Sequence, residues 1–126
     1  MVTIVDKGIE LISKFINGVA STPFTYLANG SGSTAEANGN EALVTENTTN
    51  GFGRASATCT NESNTTSVWN KVWTCVTAAV TVREVGVFDT ATSGGNMCIR
   101  HVYASDKVID VGESLDVTMK LVIARA

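Results

Sequence analysis

The sequence predicts a mainly β (α+β) protein: an antiparallel β-sandwich with one N-terminal amphipathic helix and a C-terminal three-strand meander. Three observations predict it. Three alternating apolar runs lie between 82 and 124, separated by loops of turn-forming residues. One earlier segment places apolar residues at three- and four-residue steps, the period of a helix face. Only 17% of residues are charged while Thr, Ser, Asn and Gly abound, a composition suited to half-buried strands and polar loops. With 126 residues the chain fits one domain, 1–126.

The helix is expected over 5–19. Val5, Ile9, Ile12, Phe15, Ile16 and Val19 form its apolar face, and Asp6, Lys7, Glu10 and Lys14 form the other. Asp6 suits the positive end of the helix dipole, and Gly18 is a natural terminator. The apolar face should cap a sheet. With only Lys7 and Lys14 as cations on the polar face, a membrane-surface helix is disfavoured. Pro23 then separates the helix from a short strand at Phe24–Ala28.

Residues 29–53 read as a long polar loop region, interrupted by Glu41-Ala42-Leu43-Val44, which is compatible with one helical turn or a short strand. A β-hairpin follows over 54–77, with strands at 54–60 and 67–77 around a polar tip at 61–66. In its second strand Trp69, Trp73 and Cys75 share one face, and Val68, Val72 and Val76 share the other. Two partly apolar faces fit a sheet covered on both sides or a subunit contact, which makes Trp69 and Trp73 candidate interface residues. The meander over 82–124 comprises runs at 82–89, 96–103 and 114–123.

Charge and motif content bound the function. The net charge is −3 and no Lys/Arg cluster is present, so a nucleic-acid partner is not expected. No apolar run approaches the roughly 20 residues of a membrane span, and the N-terminus mixes acids with its apolar residues, so neither a membrane partner nor a cleaved signal is expected. Cys59, Cys75 and Cys98 are odd in number and not spaced for zinc; buried free thiols are the preferred reading and a Cys59–Cys75 disulfide the competing one.

Gly30-Ser31-Gly32-Ser33-Thr34 has glycines that let backbone amides approach an anion, but it lacks the lysine of a phosphate loop and reads as a flexible connection. Cys98 and His101, three residues apart on a strand, fall on opposite faces and make a poor nucleophile–base pair. Asp106, Asp110, Glu113 and Asp116 match no calcium-loop spacing. The Asn-x-Ser/Thr patterns at Asn29, Asn47, Asn61 and Asn64 are explained by loop composition. No catalytic, metal or cofactor site is expected, and the chain reads as non-enzymatic.

Several motifs resemble one family. Arg83-Glu84-Val85-Gly86-Val87-Phe88-Asp89, Ser93-Gly94-Gly95-Asn96-Met97, Arg100-His101-Val102-Tyr103 and Val111-Gly112-Glu113-Ser114-Leu115-Asp116-Val117 resemble small structural proteins of tailed bacteriophages and related archaeal viruses. Those proteins carry a Glu-Val-Gly-Leu-Phe-Asp-like strand, a Gly-Gly turn, an Arg-containing strand and a Gly-Asp-Ser-Leu-like entry to the last strand. Phe24 to Gly32 and Gly53-Arg54-Ala55-Ser56-Ala57-Thr58 are similar to further strands of the same group. Phe52-Gly53, where an aliphatic residue commonly precedes the arginine strand, and the cysteines depart from its pattern.

The resemblance implies a virion protein, made in the host cytoplasm, whose partners are itself, as a homo-oligomer, and other virion proteins such as major capsid or tail proteins. Glu84, Gly86, Gly95, Arg100 and Gly112 are its expected architectural residues, with Glu84 and Arg100 close enough across the turn to pair. A capsid decoration or cement role is the first expectation, because the chain closes with its sandwich and carries no fibrous extension. A tail, baseplate or fibre-attachment role is the alternative. A carbohydrate- or receptor-binding module presenting 29–53 and 61–66 is the alternative of another class.

Overall fold

The computed structural model describes residues 2–125; Met1 and Ala126, the ends of the expected 1–126 span, lie outside the described residues. Alternation of apolar and polar residues builds two antiparallel sheets. Their strands are β1 (Val2–Ile4), β2 (Tyr26–Gly30), β3 (Ala55–Ser56), β4 (Thr58–Ser63), β5 (Thr66–Thr74), β6 (Val80–Phe88), β7 (Met97–Ile109) and β8 (Ser114–Val122), with one helix, α1 (Asp6–Ile16). The larger sheet runs β1-β7-β6-β2-β3 and the smaller β4-β5-β8. Between them lies a core that includes Leu27, Val82, Val85, Val87 and Ile99 from the first sheet, and Trp69, Trp73, Val117 and Met119 from the second. This is the mainly β sandwich that the apolar pattern predicts.

The last strand departs from a meander. β6 and β7 pair as neighbours, but β8 crosses to the smaller sheet and pairs with β5 from Thr66↔Val122 to Thr74↔Ser114. The turn before it explains the switch. The Gly112 amide donates to the Cys75 carbonyl at 2.8 Å and the Cys75 amide donates to the Glu113 carbonyl at 2.9 Å, which anchors the turn at the end of β5. From there the period-two pattern turns Val117 and Met119 inward.

The expected strand over 54–60 is also divided. Ala55–Ser56 pairs with β2 in the larger sheet and Thr58–Ser63 pairs with β5 in the smaller. Ala57, whose amide donates to the Thr25 carbonyl at 2.8 Å, is the corner between them.

Strand β6 changes face at Arg83. Val80 and Val82 enter the core, then Val85 and Val87, so the apolar positions step by two, three and two. On β7 the residues after Val102 and before Lys107 have no register partner at this point, a bulge. Arg83 fills it, donating from Nε to the Tyr103 carbonyl at 2.7 Å and from Nη1 to Asp106 at 3.0 Å. The shift directs Glu84, Gly86 and Phe88 away from the main core.

The helix begins one residue later than expected and ends at Ile16, with Asn17 as its C-cap. Leu11, Ile12 and Phe15 pack on the core, but Ile9, Ile16 and Val19 are exposed, so the buried face is narrower than the sequence pattern. Gly8 sets the approach. A Cβ there would lie 2.6 Å from the Cys98 carbonyl oxygen.

Trp69 and Trp73 are core residues, not exposed anchors for a subunit contact. Their indole N–H groups donate to the Phe24 carbonyl at 2.6 Å and the Gly53 carbonyl at 2.9 Å, so both polar tips are satisfied inside the chain. Phe52 stacks on Trp73 with ring centroids 6.1 Å apart. Trp73→Ala should therefore reduce the stability of the single chain by about 3–5 kcal/mol in chemical denaturation; a loss confined to an oligomer would contradict this placement.

Candidate functional site

The face of β6 that carries Glu84, Gly86 and Phe88 is not open to solvent. It is covered by the segment between β2 and β3, residues 31–54, which lies across the sheet as a strap. Leu43 from the strap joins Val5, Ala28, Phe88 and Met97 in a second, smaller apolar cluster. The long polar loop region 29–53 thus forms a covering layer, with Gly30, Leu43 and Phe52 all buried.

Glu84 is the centre of this layer. Its side chain and that of Arg100 are both 0% exposed, and Arg100 Nη2 lies 2.9 Å from Glu84 Oε2. Arg100 Nε donates to the same oxygen at 3.1 Å. From the strap, the amides of Val44 (3.0 Å) and Thr45 (2.8 Å) donate to the carboxylate, as does the amide of Gly32 at 3.3 Å. The remaining Arg100 donors reach the Thr34 carbonyl (2.8 Å), the Ala35 carbonyl (3.3 Å) and Asn40 Oδ1 (3.0 Å). All five guanidinium N–H groups are used. A buried charge costs several kcal/mol to desolvate, and here it is offset by a fully bonded partner and three amides.

The glycines of 30–34 are explained by the close packing of the strap around this carboxylate. An added Cβ at Gly30 would strike the Thr45 carbonyl first and come 2.6 Å from Glu84 Oε1, and one at Gly32 would come 2.6 Å from Val44 Cβ and 2.7 Å from Glu84 Oε1. Glycine does let the backbone approach an anion in this loop, and the anion is the protein's own. The flexible-connection reading fails for the same reason.

Gly86 faces the same layer, opposite Ala28 on one side and Arg100 on the other. A Cβ there would crowd Phe88, Leu43 and Met97 at 2.9–3.1 Å. Gly95 and Gly112 sit elsewhere, in the turns before β7 and β8, with φ of +71° and +88°. The structure therefore brings together Glu84, Gly86 and Arg100, and leaves Gly95 and Gly112 apart from them.

Three further residues hold the strap that the sequence pattern did not single out as site residues. Arg54 binds Glu46 through two nitrogens, Nη2 at 2.7 Å and Nε at 3.1 Å, and donates to the carbonyls of Thr92 and Gly94 in the β6–β7 turn. Its guanidinium carbon lies 3.6 Å from the Phe88 ring centroid. Asn29 is 0% exposed and donates to the Phe52 carbonyl, while Asn47 donates to Asn29 Oδ1 at 2.8 Å. The family-like motif and its place on a strand marked Glu84; Arg54 and Asn29 also lay in family-like stretches, but nothing in them pointed to the contacts they make.

At the strap's edge, Glu36 accepts from Thr3 Oγ1 at 2.6 Å and the Val102 amide at 2.9 Å, with His101 Nδ1 at 3.2 Å. Burial would raise its carboxyl, but these donors outweigh burial and hold it below the usual value.

The cysteines are all free, Cys75 and Cys98 buried and Cys59 exposed. The Cys59–Cys75 bridge is not formed, and Cys59 departs from the buried reading because β4 is exposed throughout. Burial pushes the Cys98 thiol up to about 12. That protonation, more than strand alternation, makes Cys98 a poor nucleophile, since β7 is irregular where Cys98 lies between the partners of Phe88 and Val87. Among the described residues no cluster of His, Cys, Asp and Glu is placed to hold a metal ion, and no helix is long and apolar enough to cross a membrane.

The buried charges of this sandwich are thus spent on fixing its own covering segment. The chain belongs to the family of the podophage GP4 fiber I protein gp80, whose model matches residues 9–124. No curated protein matches the sequence. It is a structural protein of tailed phages of the fibre- or tail-associated type, and hence a virion component. The family supports the tail and fibre alternative better than the capsid decoration or cement role.

The ion pair has a direct test. Glu84→Gln and Arg100→Met should each cost about 3–5 kcal/mol, because each leaves a buried polar partner uncompensated. In a double-mutant cycle the combined loss should fall short of the sum by more than about 1 kcal/mol; additive losses would contradict the coupling.

Proposed function

We propose that this chain is a non-enzymatic structural module of the phage fibre apparatus, held on the particle by protein–protein contacts with copies of itself and with neighbouring tail proteins. The observation that carries the reading is the fiber I family match over 9–124, which spans the helix from Ile9, the strap and every strand from β2 to β8. The geometry supports it. The strap is bonded along its length to the sheet beneath, so the surface it offers a partner is preorganised and loses little freedom on docking. The buried titratable pair is committed to internal contacts, Glu84 to strap amides and Arg100 to strap carbonyls.

Labelling the protein on purified particles and imaging them tests the assignment. Signal confined to tail fibres or their attachment points is the expected result. A regular lattice over the capsid shell would favour decoration instead, and absence from particles would overturn the virion assignment.

A further inference from the structure

The smaller sheet ends on β4, and all six residues of that strand are exposed. Among the described residues β4 pairs only with β5, so along its other edge the alternate N–H and C=O groups have no strand partner. Free edges of this kind are usually blunted by charge, proline, bulges or extreme shortness. β1 and β3 are short, with three and two residues. β8 carries Asp116 and Lys120. β4, with the sequence Thr-Cys-Thr-Asn-Glu-Ser, has one charge, and Glu62 is already paired with Lys120 at 2.8 Å. Its irregularity lies at the Asn61/Ser63 end, which leaves Thr58–Asn61 regular.

We propose that β4 is the seam of a homodimer, in which two copies pair these strands antiparallel about a two-fold axis perpendicular to the sheet. The inference rests on the fibre-module reading and names the surface through which that module self-associates. A second copy fits because it presents the same small, uncharged side chains, and an isologous contact needs nothing else. Parity and regularity together set the register. Paired residues must both turn their peptide groups the same way, and these alternate with period two, so the axis passes through a residue and not between two. On Thr58–Asn61 that leaves Cys59 or Thr60; an axis at Thr60 would set Thr58 against Glu62 in the irregular part of the strand, so the axis is placed at Cys59. Thr58 of each copy then lies opposite Thr60 of the other, a favourable cross-strand pair. The two Cys59 Cα atoms come within about 4.5–5.5 Å. No like charges face each other across the seam.

Cys59 is the one exposed thiol among the three, so it reports the seam directly. The intact chain should show a dimer mass by light scattering. A short bismaleimide should link it through Cys59 to Cys59, identified by mass spectrometry of the joined peptide. Cys59→Ser should stay dimeric but lose the link. Cys59→Lys, at an exposed position, should yield a folded monomer, because it sets two ammonium groups against each other at the axis; Cys59→Pro, which removes an N–H that faces the free edge and not β5, gives a second route to the same result. Native circular dichroism shows that either variant still folds. A wild-type monomer at every concentration overturns the seam while leaving the particle location, read separately, intact. An oligomer that neither links through Cys59 nor dissociates with Cys59→Lys overturns it as well.

Discussion

A single buried carboxylate organises this molecule. Glu84 stands on the side of β6 that faces away from the sandwich core, where an ionised side chain would ordinarily meet water. Instead a strap of about two dozen residues folds over it, with amides from both of its arms converging on the two oxygens. Arg100 completes the shell from β7 and carries the bonding onward to Thr34, Ala35 and Asn40. Without that node the middle of the strap would rest on the small apolar cluster of Leu43, Phe88 and Met97, with Glu36, Asn47 and Arg54 holding only its edge and its far end. The ion pair is best regarded as a specifier of one strap conformation. Buried pairs contribute little net stability compared with apolar replacements, but once present they make every alternative arrangement costly.

The sheet geometry exists to present that node. The bulge opposite Arg83 inverts the face of β6 midway, so that Val80 and Val82 serve the main core while Glu84, Gly86 and Phe88 serve the strap. One strand thereby contributes to two layers. Gly86 keeps the second layer thin, and Arg54, lying on the Phe88 ring and bonded to Glu46, closes its far end. For a protein of a phage fibre family such a construction makes mechanical sense, since the longest irregular segment is bonded to the sheet at several separate points.

Much of the architecture was legible in the sequence because period and alternation are local signals. The helix, the hairpin strands and the three C-terminal runs all follow from side chains within a few positions of one another. What escaped was non-local. The destination of β8 depends on a turn caught by Cys75, far earlier in the chain, and no property of 114–123 distinguishes a partner in one sheet from a partner in the other. The two tryptophans looked like anchors because both faces of their strand are partly apolar; Phe24 and Gly53 carbonyls, invisible as partners in sequence, draw them inside. The glycine-rich loop showed its capacity to approach an anion, yet the anion lies fifty residues on. Glu84 and Arg100 were readable as a pair because one turn joins their strands, whereas Arg54 and Asn29 act through contacts that no spacing announces.

Native-state hydrogen exchange at individual amides tests the central claim most directly. If Glu84 fixes the strap, the amides of Gly32, Val44 and Thr45 exchange only through openings nearly as costly as global unfolding, and Glu84→Gln speeds them far more than it speeds amides in the centre of β5. Exchange of these three amides at the rate of an exposed loop in the unaltered protein would contradict the account.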